Sequence, residues 1–217
     1  NFFADVLAGV NKVASENDYE IVLCVSDEDV DHEEQHLRTL FSMQVDGLLV
    51  SVSEETTRPD AFLALKKQGV PIVFFDRAVE GIEASRVTVD DHGGAYQAVS
   101  YALESGHGRI AHIAGYSHIN IGRTRRQGYE DALRDHGLPV RQKWIVEGGF
   151  AEEDGYRGLK QLLNGSELPD AVFAVTFPVA LGVADALRVL STDLEEEIQI
   201  YSFGQHELNR FFRYPHV

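Results

Sequence analysis

Short runs that are apolar at nearly every position, each bounded by turn residues and followed by a helical pattern, set the tightest limit on how this chain can fold. Ile21-Val22-Leu23-Cys24-Val25, Gly47-Leu48-Leu49-Val50, Ile72-Val73-Phe74-Phe75, Ile110-Ala111-His112-Ile113-Ala114, Ala171-Val172-Phe173-Ala174-Val175 and Ile198-Gln199-Ile200-Tyr201-Ser202 are such runs. A strand with one wet face alternates apolar and polar residues, so a continuous run reads as a strand buried on both faces. Between the runs the apolar spacing is helical. Phe3, Val6, Leu7, Val10 and Val13 form one stripe, and Ala95, Ala98, Val99, Ala102 and Leu103 another. Alternating elements of this kind predict an α/β fold of parallel sheets covered by helices on each side.

The pattern runs once to about Asp76 and restarts near Asp91, with no Pro- or Ser-rich linker and no internal repeat between the two series. Two Rossmann-like βαβ lobes joined by a short crossover fit this better than two independent domains. The expected division is residues 1–89 for the first lobe, 90–204 for the second and 205–217 for a segment turning back toward the first. The first element is a helix with no strand before it, so the stretch reads as truncated at its start.

Charge and cysteine usage remove several function classes. With 19 basic and 35 acidic residues the net charge is −16, the wrong sign for phosphate recognition by this stretch itself or for an anionic membrane surface. The single cysteine, Cys24, excludes an internal disulfide and suits a reducing, cytoplasmic compartment. No apolar run reaches membrane-spanning length, so no membrane partner is expected.

Local motifs for enzyme chemistry fail on context. Gly106-His107-Gly108-Arg109-Ile110-Ala111 matches a dinucleotide pattern but lies between a helix and the strand after it, the reverse of what pyrophosphate binding needs. It reads as a helix end. Asp27-Glu28-Asp29-Val30-Asp31 begins like a calcium loop, yet His32 and Arg38 stand where Gly and Glu belong, so an acidic first helical turn is the better reading. Gly115-Tyr116-Ser117-His118-Ile119 lacks the closing Gly of a nucleophile elbow. The nine histidines show no paired metal-ligand spacing. No catalytic residue, cofactor or metal is expected. The Arg123-Thr124-Arg125-Arg126 cluster is open to two readings, an anionic-ligand site or an exposed helical turn.

Open parallel sheets bind ligands beyond the C-terminal ends of their strands. Asp76 and Arg77, Gly115 to Asn120, Phe150, Thr176 and Phe177, and Gly204 and Gln205 occupy those positions.

An ordered set of motifs resembles the LacI/GalR transcriptional regulators over essentially the whole chain. It includes Asn1 to Val10, Val45-Asp46-Gly47-Leu48-Leu49-Val50, Val70 to Arg77, Val89 to Tyr96, Ser105 to Gly115, Arg125-Arg126-Gln127-Gly128-Tyr129, Glu147-Gly148-Gly149-Phe150 and Pro169 to Ala174. The resemblance implies a type I periplasmic-binding-protein-like effector domain, here truncated at both ends. It further implies a cytoplasmic homodimer that contacts DNA only through a helix-turn-helix head absent from this stretch, and a small, sugar-like effector held between the lobes. The effector-binding residues it nominates are Phe2, Phe3, Asp76, Arg125 and Phe150, with Thr176, Phe177 and Gln205 at neighbouring positions. Relatives often read Ala-Asn-Asp where this chain has Val175-Thr176-Phe177, and Gly-Phe/Tyr-Asp where it has Ser202-Phe203-Gly204, so Gln205 is the expected substitute hydrogen-bonding group. The competing reading is the solute-binding protein of a sugar transporter. If Asp76 and Arg125 serve the ligand alone, replacing either should leave stability nearly unchanged.

Overall fold

The computed structural model describes residues 2–190 and 197–203. Two parallel sheets stand one after the other along the chain. The first contains β1 (Leu48–Val50), β2 (Ile72–Phe75) and β3 (Ser85–Val87), in that order, with Val50 opposite Phe74 and Phe75 opposite Val87. The second contains β4 (Ile110–Ala114), β5 (Ile145–Glu147), β6 (Ala171–Ala174) and β7 (Gln199–Ser202), in the order β5-β4-β6-β7. Helices α1 (Phe2–Glu16), α2 (Val30–Ser42) and α3 (Asp60–Lys67) accompany the first sheet. Helices α4 (Asp91–Glu104), α5 (Asn120–Asp135), α6 (Glu152–Leu163) and α7 (Phe177–Leu190) accompany the second. Parallel neighbours need a crossover, and α3, α5, α6 and α7 supply four of them. Between β2 and β3 the crossover is an irregular segment that buries Ala78, Val79 and Ile82 in place of a helix.

The continuous apolar runs behave as expected in the second sheet, where every residue of β4 and β6 is buried. In the first sheet they do not. Ile21 to Val25 is not a strand, Leu23 and Val25 are exposed, α1 has no buried residue, and Leu49 is 56% exposed on the edge strand β1. Apolar character is a local property, whereas a strand exists only through a hydrogen-bonded neighbour, and the Ile21 to Val25 run has none among the described residues.

The helix ends confirm the two structural readings of the acidic and glycine motifs. Asp29 caps α2 by accepting from the His32 N–H at 2.9 Å, with Asp31 and Glu33 in the first turn. Gly106 closes α4 at φ +97°, a conformation that glycine adopts without a Cβ penalty. Among the described residues, no helix is long and apolar enough to cross a membrane, and no cluster of His, Cys, Asp or Glu is arranged to hold a metal ion.

His112 lies at the centre of the second sheet. Its ring is fully buried, 4.8 Å from the Phe173 ring and 5.0 Å from that of Tyr129, with Nδ1 2.9 Å from the Phe173 carbonyl oxygen. Burial pushes its pKa down to about 4, so the ring is neutral at pH 7. The unfolded chain takes up this proton near pH 6.5 and the folded chain only near 4, so stability present above pH 6.5 is lost as the pH falls toward 4. We expect roughly 3 kcal/mol of acid-dependent destabilisation from this residue. Urea midpoints measured between pH 7 and pH 4 should fall less steeply for His112→Phe than for the parent protein.

Candidate functional site

The C-terminal ends of the two sheets are joined by loops that face each other. Asp76, immediately after β2, sits at φ +57°, in the left-handed region that a short polar side chain tolerates better than an apolar one. Its backbone N–H donates to the Val87 carbonyl at 3.0 Å, which ties the turn to β3. Among the described residues, no hydrogen bond holds its half-buried carboxylate. Burial raises its pKa, and Arg77 and Arg125 oppose that rise.

Arg77 turns inward. Its Nη1 donates to both carboxylate oxygens of Glu28, at 2.9 and 2.7 Å, and its guanidinium lies 4.9 Å from the centre of the Phe150 ring of the second lobe. Glu28 also accepts from the Glu54 N–H at 2.8 Å, so one carboxylate draws the loops after Val25 and after β1 onto the end of β2. The buried Glu33 completes that loop by accepting from the Ser53 N–H and the Thr56 hydroxyl, at 2.7 and 2.6 Å.

Asn120, the first residue of α5, reaches across from the second lobe. Its side-chain N–H donates to the Asp76 carbonyl at 3.0 Å, and its side-chain oxygen accepts from the Ala78 N–H at 2.9 Å. His118 Nε2 lies 2.6 Å from the Glu54 carbonyl oxygen, and Arg123 pairs with Glu80 at 2.8 Å. These contacts hold the two C-terminal edges together.

On the second-lobe side Arg125 is deeply buried. Its Nε and Nη2 both lie 2.8 Å from Asp91 Oδ1, its Nη1 donates to the Val175 carbonyl at 2.6 Å, and its plane lies 3.7 Å from the centre of the Phe203 ring. Glycines permit this packing. A Cβ on Gly128 would run into the His92 carbonyl oxygen, and one on Gly94 would run into the Phe203 ring. With Gly128 in place, α5 closes on α4 and brings Arg125, one turn earlier, against Asp91 at the α4 start.

The residues nominated from the sequence therefore fall into three groups. Asp76, Arg125 and Phe150 come to the crevice, and Thr176, whose hydroxyl donates to the Phe150 carbonyl at 3.3 Å, stands beside them with Phe177 at the start of α7. Phe3 meets Phe75 edge-on with ring centres 6.4 Å apart, and Phe2 meets Phe3 at 5.2 Å, so both stand next to Asp76 but largely exposed. Gln205 lies outside the described residues. Sequence reasoning missed Glu28, which looked like a helix-start acid, and Asp91, and did not single out Asn120. The Arg123 to Arg126 cluster is neither an open anion site nor an idle surface turn. Arg123 pairs with Glu80, Arg125 with Asp91 and Arg126 with Glu130.

The model of the family of periplasmic binding proteins and the sugar binding domain of the LacI family matches residues 1–211. The chain belongs to that family. It is similar to the HTH-type transcriptional repressor PurR of Haemophilus influenzae (strain PittEE), at 32% identity over 216 residues, covering 99% of this chain and 63% of that protein. It thus spans less than two thirds of that relative. Among solved structures, the transcription regulator CcpA of Lactococcus lactis superposes with a TM-score of 0.87 at 27% identity, covering 97% of this chain and 76% of that one. The transcriptional regulator CelR in its cellobiose complex gives a TM-score of 0.83 at 30% identity, covering 93% and 61%. The two-lobed, parallel-sheet architecture is that of periplasmic binding proteins, as the motifs led one to expect.

Breaking a buried ion pair leaves the surviving charge uncompensated, which costs about 3–5 kcal/mol. Arg125→Ala should therefore lower unfolding stability by that order, contrary to the expectation that it serves a ligand alone. Asp91→Ala should do the same, and the double variant should lose clearly less than the sum of the two. Urea denaturation of the three proteins checks this.

Proposed function

We propose that this chain is the effector-sensing domain of a DNA-binding transcriptional regulator. A small polar molecule, a sugar or a close relative, binds in the crevice between the two lobes and shifts their relative geometry. The shift is transmitted to a helix-turn-helix head, which contacts the operator. The observation that carries this reading is the pairing of a half-buried Asp76 carboxylate, lacking a hydrogen-bond partner among the described residues, with the Asn120 strap across the lobes one residue away. A ligand gripped by Asp76 acts directly on the contact that joins the lobes. The Arg77 guanidinium, packed on the Phe150 ring of the second lobe, adds a further contact across the same junction.

The intact protein works in the cytoplasm as a homodimer, and DNA is reached only through the head, since a net charge of −16 repels phosphates. Residues 1–89 and 90–204 act as the two moving bodies. No reaction is assigned to the crevice. A transporter's solute-binding protein shares the fold, and the family description covers both; the resemblance to proteins named as transcriptional regulators favours the sensor.

The deciding experiment is operator retention by the intact protein in a gel-shift assay with and without candidate sugars. A sugar that changes retention supports the sensor. A protein that binds sugar and no operator sequence is the transporter component instead. Within the crevice, Asp76→Ala should weaken effector binding by roughly 2–5 kcal/mol, the usual cost of losing one partner of a desolvated polar contact. Its urea midpoint should fall only by the roughly 1 kcal/mol that the left-handed backbone at this position costs an alanine, because no described side-chain bond is lost. Unaltered affinity by calorimetry removes Asp76 from the site.

A further inference from the structure

Among the described residues the chain passes from the first sheet to the second once, through residues 88–90 between β3 and α4. Residues 85–90 are all exposed, so this crossover has no packing of its own to fix its direction. The angle at which it leaves each lobe depends on what grips its two ends. On the first-lobe side the ladder does this. Phe75 stands opposite Val87, and the Asp76 N–H donates to the Val87 carbonyl at 3.0 Å.

On the second-lobe side the grip is Arg125. Asp91, the first residue of α4, directly follows the crossover, and its side chain is only 5% exposed. Arg125 Nε and Nη2 both lie 2.8 Å from Asp91 Oδ1. The guanidinium is not free to follow α4. Its Nη1 donates to the Val175 carbonyl beyond β6 at 2.6 Å, and the Phe203 ring beyond β7 covers its plane at 3.7 Å. The first turn of α4 is closed within itself, by the Gly93 N–H donating to Asp90 at 2.9 Å. One side chain thus ties the exit of the crossover to the second sheet.

The start of the same helix touches the first lobe. Asn120 bonds the Asp76 carbonyl and the Ala78 N–H, and Ile119 and Ile121 share a buried cluster with Ala78 and Val79. Arg125 follows Asn120 by a helical rise of about 7 Å. One point of attachment leaves two bodies free to rotate about it, and a second point restricts that rotation. The Asn120 contact supplies the first point and the Arg125–Asp91 pair the second. The nearby Arg123–Glu80 pair is exposed and holds weakly, whereas a buried pair is costly to break.

We propose that Arg125 is the positioning residue of the inter-lobe hinge. By clamping Asp91 it fixes how the crossover enters α4, and so the angle between the lobes. This goes beyond the sensor reading and holds whichever ligand the protein binds.

Distances between the lobes of the intact protein test it. Spin labels on Lys67→Cys in α3 and Gln161→Cys in α6, both exposed positions, span the hinge in a Cys24→Ser background. Labelled chains are diluted in unlabelled protein, so that only distances within one chain are read. Asp91→Asn keeps the shape and the acceptor but removes the charge that holds Arg125, and the distance distribution should widen about twofold. Leu187→Ala, a buried position in α7, is the control for lost stability and should leave the width of the parent. A parent width in Asp91→Asn, or equal widening in Leu187→Ala, overturns the assignment. If Asp91→Asn does not fold, Phe203→Leu decides, because it uncovers the guanidinium and keeps the ion pair. It should widen the distribution in the same way, and a parent width there overturns the assignment as well.

Discussion

Arg125 is a cation with a side chain only 7% exposed, and the segments around it at the C-terminal edge of the second sheet are arranged to compensate it. Asp91 takes the charge, the Val175 carbonyl takes a further N–H, and the Phe203 ring covers the guanidinium plane. Those partners come from the starts or ends of different elements, α4, β6 and β7, so one side chain on α5 fixes the positions of all of them. A residue in this place is a structural keystone first. It holds the start of α4 and the segments after β6 and β7 against α5.

The first lobe solves a related problem with acids. Glu28 and Glu33 pin the loop after β1 through backbone N–H groups and hydroxyls, and Glu28 also neutralises Arg77. Glu33 gives up hydration to do so, and burial raises its pKa as a result. The outcome is a crevice whose cations are internally satisfied and whose spare capacity lies in carboxylate acceptors.

The lobes meet through polar contacts and through one buried apolar cluster that includes Phe74, Ala78 and Val79 of the first and Ile119, Ile121 and Phe150 of the second. Asn120 bonds the backbone on both sides of Arg77, His118 approaches the Glu54 carbonyl, and Arg123 pairs with Glu80. That apolar cluster takes in Ala111, Ile113, Val172 and Ala174 of β4 and β6, and a second cluster around Ile110, Tyr129, Phe173 and Tyr201 lies within the second lobe.

The sequence by itself determined the parallel α/β class, the restart of the pattern near Asp91, the acidic start of α2 and the helix end at Gly106. All of these follow from local periodicity, capping and backbone freedom. It also placed Asp76, Phe150 and Thr176 at strand ends, because the ends of parallel strands gather at one edge whatever the details of packing. Tertiary structure alone decided that Ile21 to Val25 is not a strand, since a ladder needs a neighbour that no local pattern supplies. It alone paired Arg125 with Asp91, 34 positions away, and Arg77 with Glu28, 49 positions away. An arginine's role depends on which carboxylate reaches it first, and that is settled by how closely α5 packs on α4 and how the loops fold over β2, not by the residues beside it in the chain.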